Sequence, residues 1–194
     1  MASTPHSYLS FPAEALVAAQ GGGSGIKAAI FDVDGVLTDG TIWITEAGET
    51  LKNFNVLDGQ GLLMLRKGGI TPIVITGRDS AAVRRRVSDL GLAHAAFGAS
   101  DKVSAANDIL QQLKVEWEDV AVIGDDWPDL PLFACAGFAC APANAHAEAR
   151  GAAQYVTGRE GGRGAAREFC DLLLMANGLY APLMTKLLVT LDSK

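Results

Sequence analysis

The sequence predicts an α/β fold, a three-layer sandwich around a mostly parallel central sheet, and two observations predict it. Two short apolar runs, 27–31 and 120–123, stop at aspartate and glycine. Buried parallel strands end in this way when they deliver side chains to their C-terminal edge. Apolar windows of strand length also alternate with amphipathic windows of helix length along most of the chain, which is the rhythm of βαβ units. At 194 residues, 49% of them apolar, the chain is long enough for one sizeable core.

The strand windows are 27–32, 71–75, 95–97, 119–123, 137–140 and 153–156. The helical windows are about 58–67, 79–90, 101–114, 127–135, 144–150 and 164–176. Together they predict a Rossmann-like body over 26–177. Residues 1–25 read as a flexible N-terminal extension, with a short helix from Phe11 to Gln20 running into a glycine-rich linker. Residues 178–194 form a C-terminal tail whose Leu183, Leu187, Leu188 and Leu191 make an amphipathic stripe, read as a docking segment.

One segment breaks the rhythm. Runs 41–45 and 50–54 flank Glu46, Ala47, Gly48 and Glu49, which predicts a protruding β-hairpin over 41–54. Ile42 and Ile44 point to one face and Trp43 to the other, so both faces are apolar and oligomerisation is expected. The alternative is a hairpin folded back onto its own sheet.

The formal charge of −6 and a pI near 5.0 argue against nucleic-acid partners, which need clustered Lys and Arg. The longest apolar run, 133–141, is too short for a bilayer, so no membrane association is expected. The start of the sequence lacks the basic and apolar regions of a secretory signal. Cys135, Cys140 and Cys170 lack metal-ligand spacing. Cys135 and Cys140 read as inert buried thiols, and the set suits a reducing compartment.

The chemistry gathers at the strand ends. Asp32 and Asp34 close the first strand, and Asp125, Asp126 and Asp129 follow the fourth. Carboxylates collected at one sheet edge repel one another unless a cation compensates. An all-oxygen donor set of this kind suits Mg²⁺ beside a phosphate. Asp32 has the position of a nucleophile, and Asp34 that of a general acid and base. Thr76 and Gly77 follow the second strand, where a hydroxyl and helix N-terminal amides make a phosphate cradle. A helix N-cap is the plainer role for Thr76. Lys102 opens a helix, where its charge opposes the macrodipole and is better used by the carboxylates. The plainer alternative is an exposed surface lysine. Asp125 repeats the strand-end geometry of Asp32, which makes it a third metal ligand. Asp126 and Asp129 would support the site by holding waters around the ion or orienting Lys102, with helix capping the alternative for Asp129.

The order of these groups, Asp32-x-Asp34, Thr76, Lys102, then Gly124-Asp125-Asp126-x-x-Asp129, resembles the haloacid dehalogenase (HAD) superfamily of aspartate-nucleophile phosphatases. That resemblance implies Mg²⁺ held by the Asp32 carboxylate, the Asp34 backbone carbonyl and the Asp125 carboxylate. No segment is long enough for the cap domain that many such enzymes carry. An uncapped HAD-like domain leaves its substrate in water unless a neighbouring subunit closes the site. The stretches 38–40, 54–61, 75–78 and 161–168 are similar to one branch, the 3-deoxy-D-manno-octulosonate (KDO) 8-phosphate phosphatases. This resemblance implies a sugar-acid phosphate substrate and a cytoplasmic step in lipopolysaccharide biosynthesis. It also implies a homotetramer whose hairpins and tails contact neighbouring subunits. By the same resemblance Asn55, Val56, Leu57, Asp58 and Gly59 contact the sugar, while Gly77, Arg78, Arg86 and Lys102 meet anionic groups. Arg78 has a structural alternative as a partner of Asp58. Leu63 and Leu57 are apolar where relatives often carry a basic residue. Nonulosonate 9-phosphate phosphatases share this architecture, though that branch tends to have Glu at the position of Arg78. Two readings of another class are a phospho-receiver, in which the lysine would follow the acidic cluster, and a non-catalytic oligomeric scaffold.

Overall fold

The computed structural model describes residues 7–46 and 48–192. Its central strands are β1 (Ala28–Phe31), β4 (Thr71–Thr76), β5 (His94–Phe97), β6 (Val120–Ile123), β7 (Phe138–Ala141) and β8 (Tyr155–Val156). They form one sheet in the order β5-β4-β1-β6-β7-β8, and every pairing in it is parallel. The expected Rossmann-like sandwich is therefore present. Its strand order reverses beside β1, where the chain leaves β5 and re-enters on the other side as β6. Such a reversal opens a crevice at the C-terminal ends of the strands.

The period-2 alternation of each strand divides the core into two layers. Ala29 and Phe31 of β1, Val74 of β4, Ile123 of β6 and Cys140 of β7 face one layer. Ala28, Ile30, Ile73, Ile75, Val122 and Ala139 face the other. The first layer is covered by α2 (Val56–Gly68), α3 (Ala81–Asp89) and α7 (Ala165–Ala176). The second is covered by α4 (Lys102–Leu113), α5 (Leu130–Cys135) and α6 (Ala147–Ala152). Phe169 of α7 locks the first layer: its ring stacks on Phe138 at 6.3 Å and meets Phe31 edge-on at 5.5 Å. Burying an aromatic side chain of this size contributes roughly 1.5–3 kcal/mol.

Residues 11–25 pack more closely than a flexible extension would, while residues 1–6 of that extension lie outside the described residues. In α1 (Ala13–Ala18) Ala15 is buried, as is Ala19 just beyond the helix. The glycine run that follows is pinned to the body. Gly22 N–H donates to the Glu118 carbonyl, Ser24 Oγ to Asp119, and Ile26 N–H to Asn177 Oδ1. The composition suggested a linker because a docked tight turn uses the same residues.

The hairpin forms as β2 (Trp43–Thr45) and β3 (Gly48–Leu51), a separate two-stranded antiparallel sheet. It is tighter than expected: Thr45 pairs with Gly48, so Gly48 and Glu49 belong to a strand, not to the turn. A register shift between Trp43 and Ile44 supplies a bulge. Ile44 is 73% exposed and Trp43 56% exposed, so the hairpin does not fold back onto the sheet. The tail becomes α8 (Tyr180–Asp192); Leu183 packs on the core, while Leu187 and Leu188 stay exposed.

Cys140 and Cys170 are buried thiols whose pKa burial pushes up, but Cys135 is exposed. The six-residue α5 buries Leu132 and Phe133, and Cys135 falls on its outer side. Among the described residues, no helix is long and apolar enough to cross a membrane.

Candidate active site

Three strands bring two acids and a threonine together. Asp32 follows β1 and Asp125 lies two residues beyond β6, while Thr76 is the last residue of β4. Because β1 pairs in register with both neighbours, Phe31 opposite Val74 and Ile123, these positions open on the same crevice. Lys102, the first residue of α4, enters the crevice from beyond β5.

Lys102 is buried, and its Nζ lies 2.6 Å from Asp32 Oδ1 and 2.6 Å from Asp129 Oδ1. It is therefore not a surface lysine. Burial opposes its charge, yet the Asp32 and Asp129 carboxylates outweigh that and push its pKa above the ordinary value. Asp129 Oδ2 accepts from the Asp125 amide at 3.0 Å and the Asp126 amide at 3.4 Å, so Asp129 both orients Lys102 and caps its own loop. Asp126 is exposed and caps the same turn through the Trp127 amide.

Oxygens of Asp32, Asp125 and Asp129 lie within 4.8 Å of one another. The electrostatics show what that proximity costs. Burial, then the Asp129 charge, push Asp32 up to about 7 despite Lys102. Burial, then Asp32, Asp129 and Asp126, push Asp125 up to about 7 as well. Three carboxylates with only Lys102 among them are one cation short, and an oxygen-only donor set of this size fits a hard divalent ion. Gly35 makes the approach possible. Its φ is +91°, and a Cβ there would lie 2.0 Å from Asp125 Oδ2. Thr38 braces the same loop by accepting from the Gly35 and Gly40 amides and donating to the Val33 carbonyl.

Thr76 is buried; its Oγ1 accepts from the Arg78 amide at 3.3 Å, closing a local turn. It does not cap α3, whose N-cap position is Ser80. Gly77 lies open beside it, with the nearest atom to a notional Cβ 3.8 Å away.

Asp34 sits in a charged group that the sequence did not reveal. Lys52, just after β3, makes a close ion pair with the Asp34 carboxylate. The same Lys52 Nζ lies 3.1 Å from Glu49 Oε1. Glu49 Oε2 accepts from Arg78 at 2.9 Å, and Arg78 Nε lies 3.8 Å from Asp34 Oδ2. Burial pushes Glu49 up, but its contacts with Lys52 and Arg78 hold its carboxyl below the ordinary range. Arg78 thus pairs with Glu49 and Asp34, not with Asp58. The one available signal for Lys52 was a lysine placed directly after a hairpin strand.

The segment 55–59 lines the entrance to α2. Asn55 caps the helix by accepting from the Leu57 amide at 2.8 Å, and its Nδ2 lies 3.4 Å from the Gly162 carbonyl. Val56 and Leu57 are exposed. Arg86 crosses the first turn of α2, 3.4 Å from the Asn55 carbonyl, and a Cβ on Gly59 would lie 2.3 Å from its guanidinium. Asp58 is buried, and its carboxylate accepts from the Gly164 and Arg167 amides. It fastens the start of α7 to α2.

A strand-end aspartate, a buried lysine and a metal-fitting acidic cluster at one crevice define a haloacid dehalogenase-like hydrolase, and that family's profile matches residues 95–169. The 3-deoxy-D-manno-octulosonate 8-phosphate phosphatase KdsC of Salmonella typhi is 45% identical over 153 residues, 79% of this chain and 81% of the relative. The solved structure of the phosphatase of the same name from Yersinia pestis superposes with a TM-score of 0.80 at 42% identity, covering 86% of this chain and 88% of that one. That from Moraxella catarrhalis, in complex with magnesium ion, phosphate ion and KDO, gives 0.80 at 39% identity, covering 89% and 97%. This chain belongs to the 3-deoxy-D-manno-octulosonate 8-phosphate phosphatase family.

Proposed function

We propose that this chain hydrolyses 3-deoxy-D-manno-octulosonate 8-phosphate to KDO and inorganic phosphate, with Mg²⁺ as cofactor. The observation that carries this reading is Asp32 held against Lys102 beside Asp125, in a chain 45% identical to named KDO 8-phosphate phosphatases. Asp32, the Asp34 backbone carbonyl and Asp125 would hold the ion, with Asp129 within reach. When bound, the ion offsets the carboxylate charge and that of the phosphoryl oxygens.

Asp32 attacks phosphorus, and the bond from phosphorus to the sugar oxygen breaks, leaving an aspartyl phosphate. Asp34 gives a proton to the departing sugar oxygen. It then takes one from the water that attacks the acyl phosphate, which frees Asp32 and releases phosphate. Lys102 holds Asp32 in place, and Thr76 with the amides around Gly77 receives the phosphoryl oxygens. Asn55, Val56, Leu57, Gly59, Arg78 and Arg86 face the sugar acid. Asp58 acts behind them, through its hold on Gly164 and Arg167.

The exposed apolar residues of the hairpin support a homotetramer in which hairpin and tail meet neighbouring subunits. The reading carries with it a cytoplasmic step of lipopolysaccharide biosynthesis. It is tested by measuring Mg²⁺-dependent phosphate release from a panel of phosphorylated sugar acids. The highest kcat/KM is expected for KDO 8-phosphate, and a higher value for a nonulosonate 9-phosphate would overturn the assignment.

A further inference from the structure

The charged group around Asp34 is a closed ring: Asp34, Lys52, Glu49, Arg78 and back to Asp34. Two acids alternate with two cations, so the ring is neutral with both acids ionised and carries one positive charge when Asp34 holds the proton that it gives to the leaving oxygen. Its members come from separate places. Asp34 belongs to the loop after β1, Arg78 to the loop after β4, and Glu49 and Lys52 to the hairpin. The Lys52 side chain is only 1% exposed, so it depends on both of its acids, because a buried ammonium without a partner is strongly unfavourable. Arg78, by contrast, is half exposed at the mouth of the crevice. Its guanidinium is anchored from behind by Glu49 and keeps a free side for an anion.

We propose that Glu49 is a positioning residue for substrate recognition. It fixes Arg78 where the carboxylate end of a sugar-acid phosphate arrives, and it steadies Lys52 on Asp34. Glu49 lies on β3, so the seating of the hairpin sets the aim of both cations. The hairpin is then a working wall of its own chain's site as well as a surface for neighbours. This inference rests on the sugar-acid reading above, and it predicts a defect that follows the substrate and not the phosphoryl chemistry alone.

The test compares wild type, Glu49→Gln and Glu49→Asp on two substrates, KDO 8-phosphate and p-nitrophenyl phosphate, which has no carboxylate. Glu49→Gln keeps the shape and removes the charge that holds Arg78. The ratio of kcat/KM for the sugar-acid phosphate to that for p-nitrophenyl phosphate should fall about tenfold or more, mainly through KM, which is the size of a lost charge-assisted contact. Glu49→Asp should recover part of that ratio. An equal loss on both substrates, or no loss, overturns the proposal. Failure of wild type to turn over any phosphorylated sugar acid overturns the functional reading and this inference with it. A wild type that prefers the sugar acid alongside a Glu49→Gln variant of unchanged ratio overturns the inference alone.

Discussion

Lys102 and Asp32 stand 70 residues apart in the chain, yet the lysine Nζ lies 2.6 Å from the aspartate Oδ1. The contact joins the N-terminus of α4 to the end of β1 across the reversal point of the sheet. It opposes the repulsion among the acids, and it aims the carboxylate proposed to attack phosphorus. Lys102→Met should therefore lower kcat about a hundredfold or more, the usual scale for losing a fixed charge at a reacting centre. Breaking a buried ion pair from one side costs about 3–5 kcal/mol. The variant should accordingly melt at lower temperature in metal-free buffer at pH 8, with a smaller deficit at pH 5. Steady-state kinetics and paired melting curves check both halves.

Asp32→Asn should abolish turnover while leaving the fold intact, since the amide keeps the volume and loses only the nucleophilic charge. Phosphate release measured beside circular dichroism tests this. Substantial residual turnover would remove Asp32 from the role of nucleophile.

The raised pKa values of Asp32 and Asp125 set a pH dependence with a definite sign. Burial and mutual repulsion push both carboxyls up to about 7 in the folded chain from an ordinary 3.8, so between those limits the folded state binds more protons than the unfolded one. The stabilising contribution of these groups is fully present below about 4 and is lost as pH rises through 7. Each extra proton contributes up to about 1.4 kcal/mol per pH unit. Magnesium removes the need for those protons, so its stabilisation should be larger at pH 8 than at pH 5. Asp125→Asn should shrink that difference. Thermal melts with EDTA and with Mg²⁺ at the two pH values check it, and a magnesium shift independent of pH would contradict the argument.

The sheet and the acidic crevice were legible because both are written locally. Runs such as 120–123 are apolar without interruption and stop at Gly124 and Asp125, and a buried parallel strand leaves that pattern whatever surrounds it. Residues 21–25 were harder, because a flexible linker and a docked turn share one composition. Only the acceptors at Glu118, Asp119 and Asn177 distinguish the two. Lys52 was missed for a related reason. Its partner Asp34 is 18 residues away, and the pairing depends on how the hairpin leans against the crevice, which no periodicity records. The fold class is carried by each strand alone, whereas the charged ring exists only after three loops have met.

The hairpin offers the last test, because its apolar residues are already exposed in the single chain. Replacing Trp43 and Ile44 together by serine removes little buried packing, because both residues are more than half exposed, so the stability of one subunit should change by less than about 1 kcal/mol per site. What should change is assembly. Light scattering during gel filtration should give a tetramer for wild type and a smaller species for the double variant. Glu49 and Lys52 ride on the same hairpin, so loss of assembly should also loosen the aim of Arg78. The preference for a sugar-acid phosphate over p-nitrophenyl phosphate should then fall in the direction expected for Glu49→Gln. A double variant that keeps both its mass and its preference would show that the hairpin neither assembles the protein nor needs a neighbour to hold its charges in register.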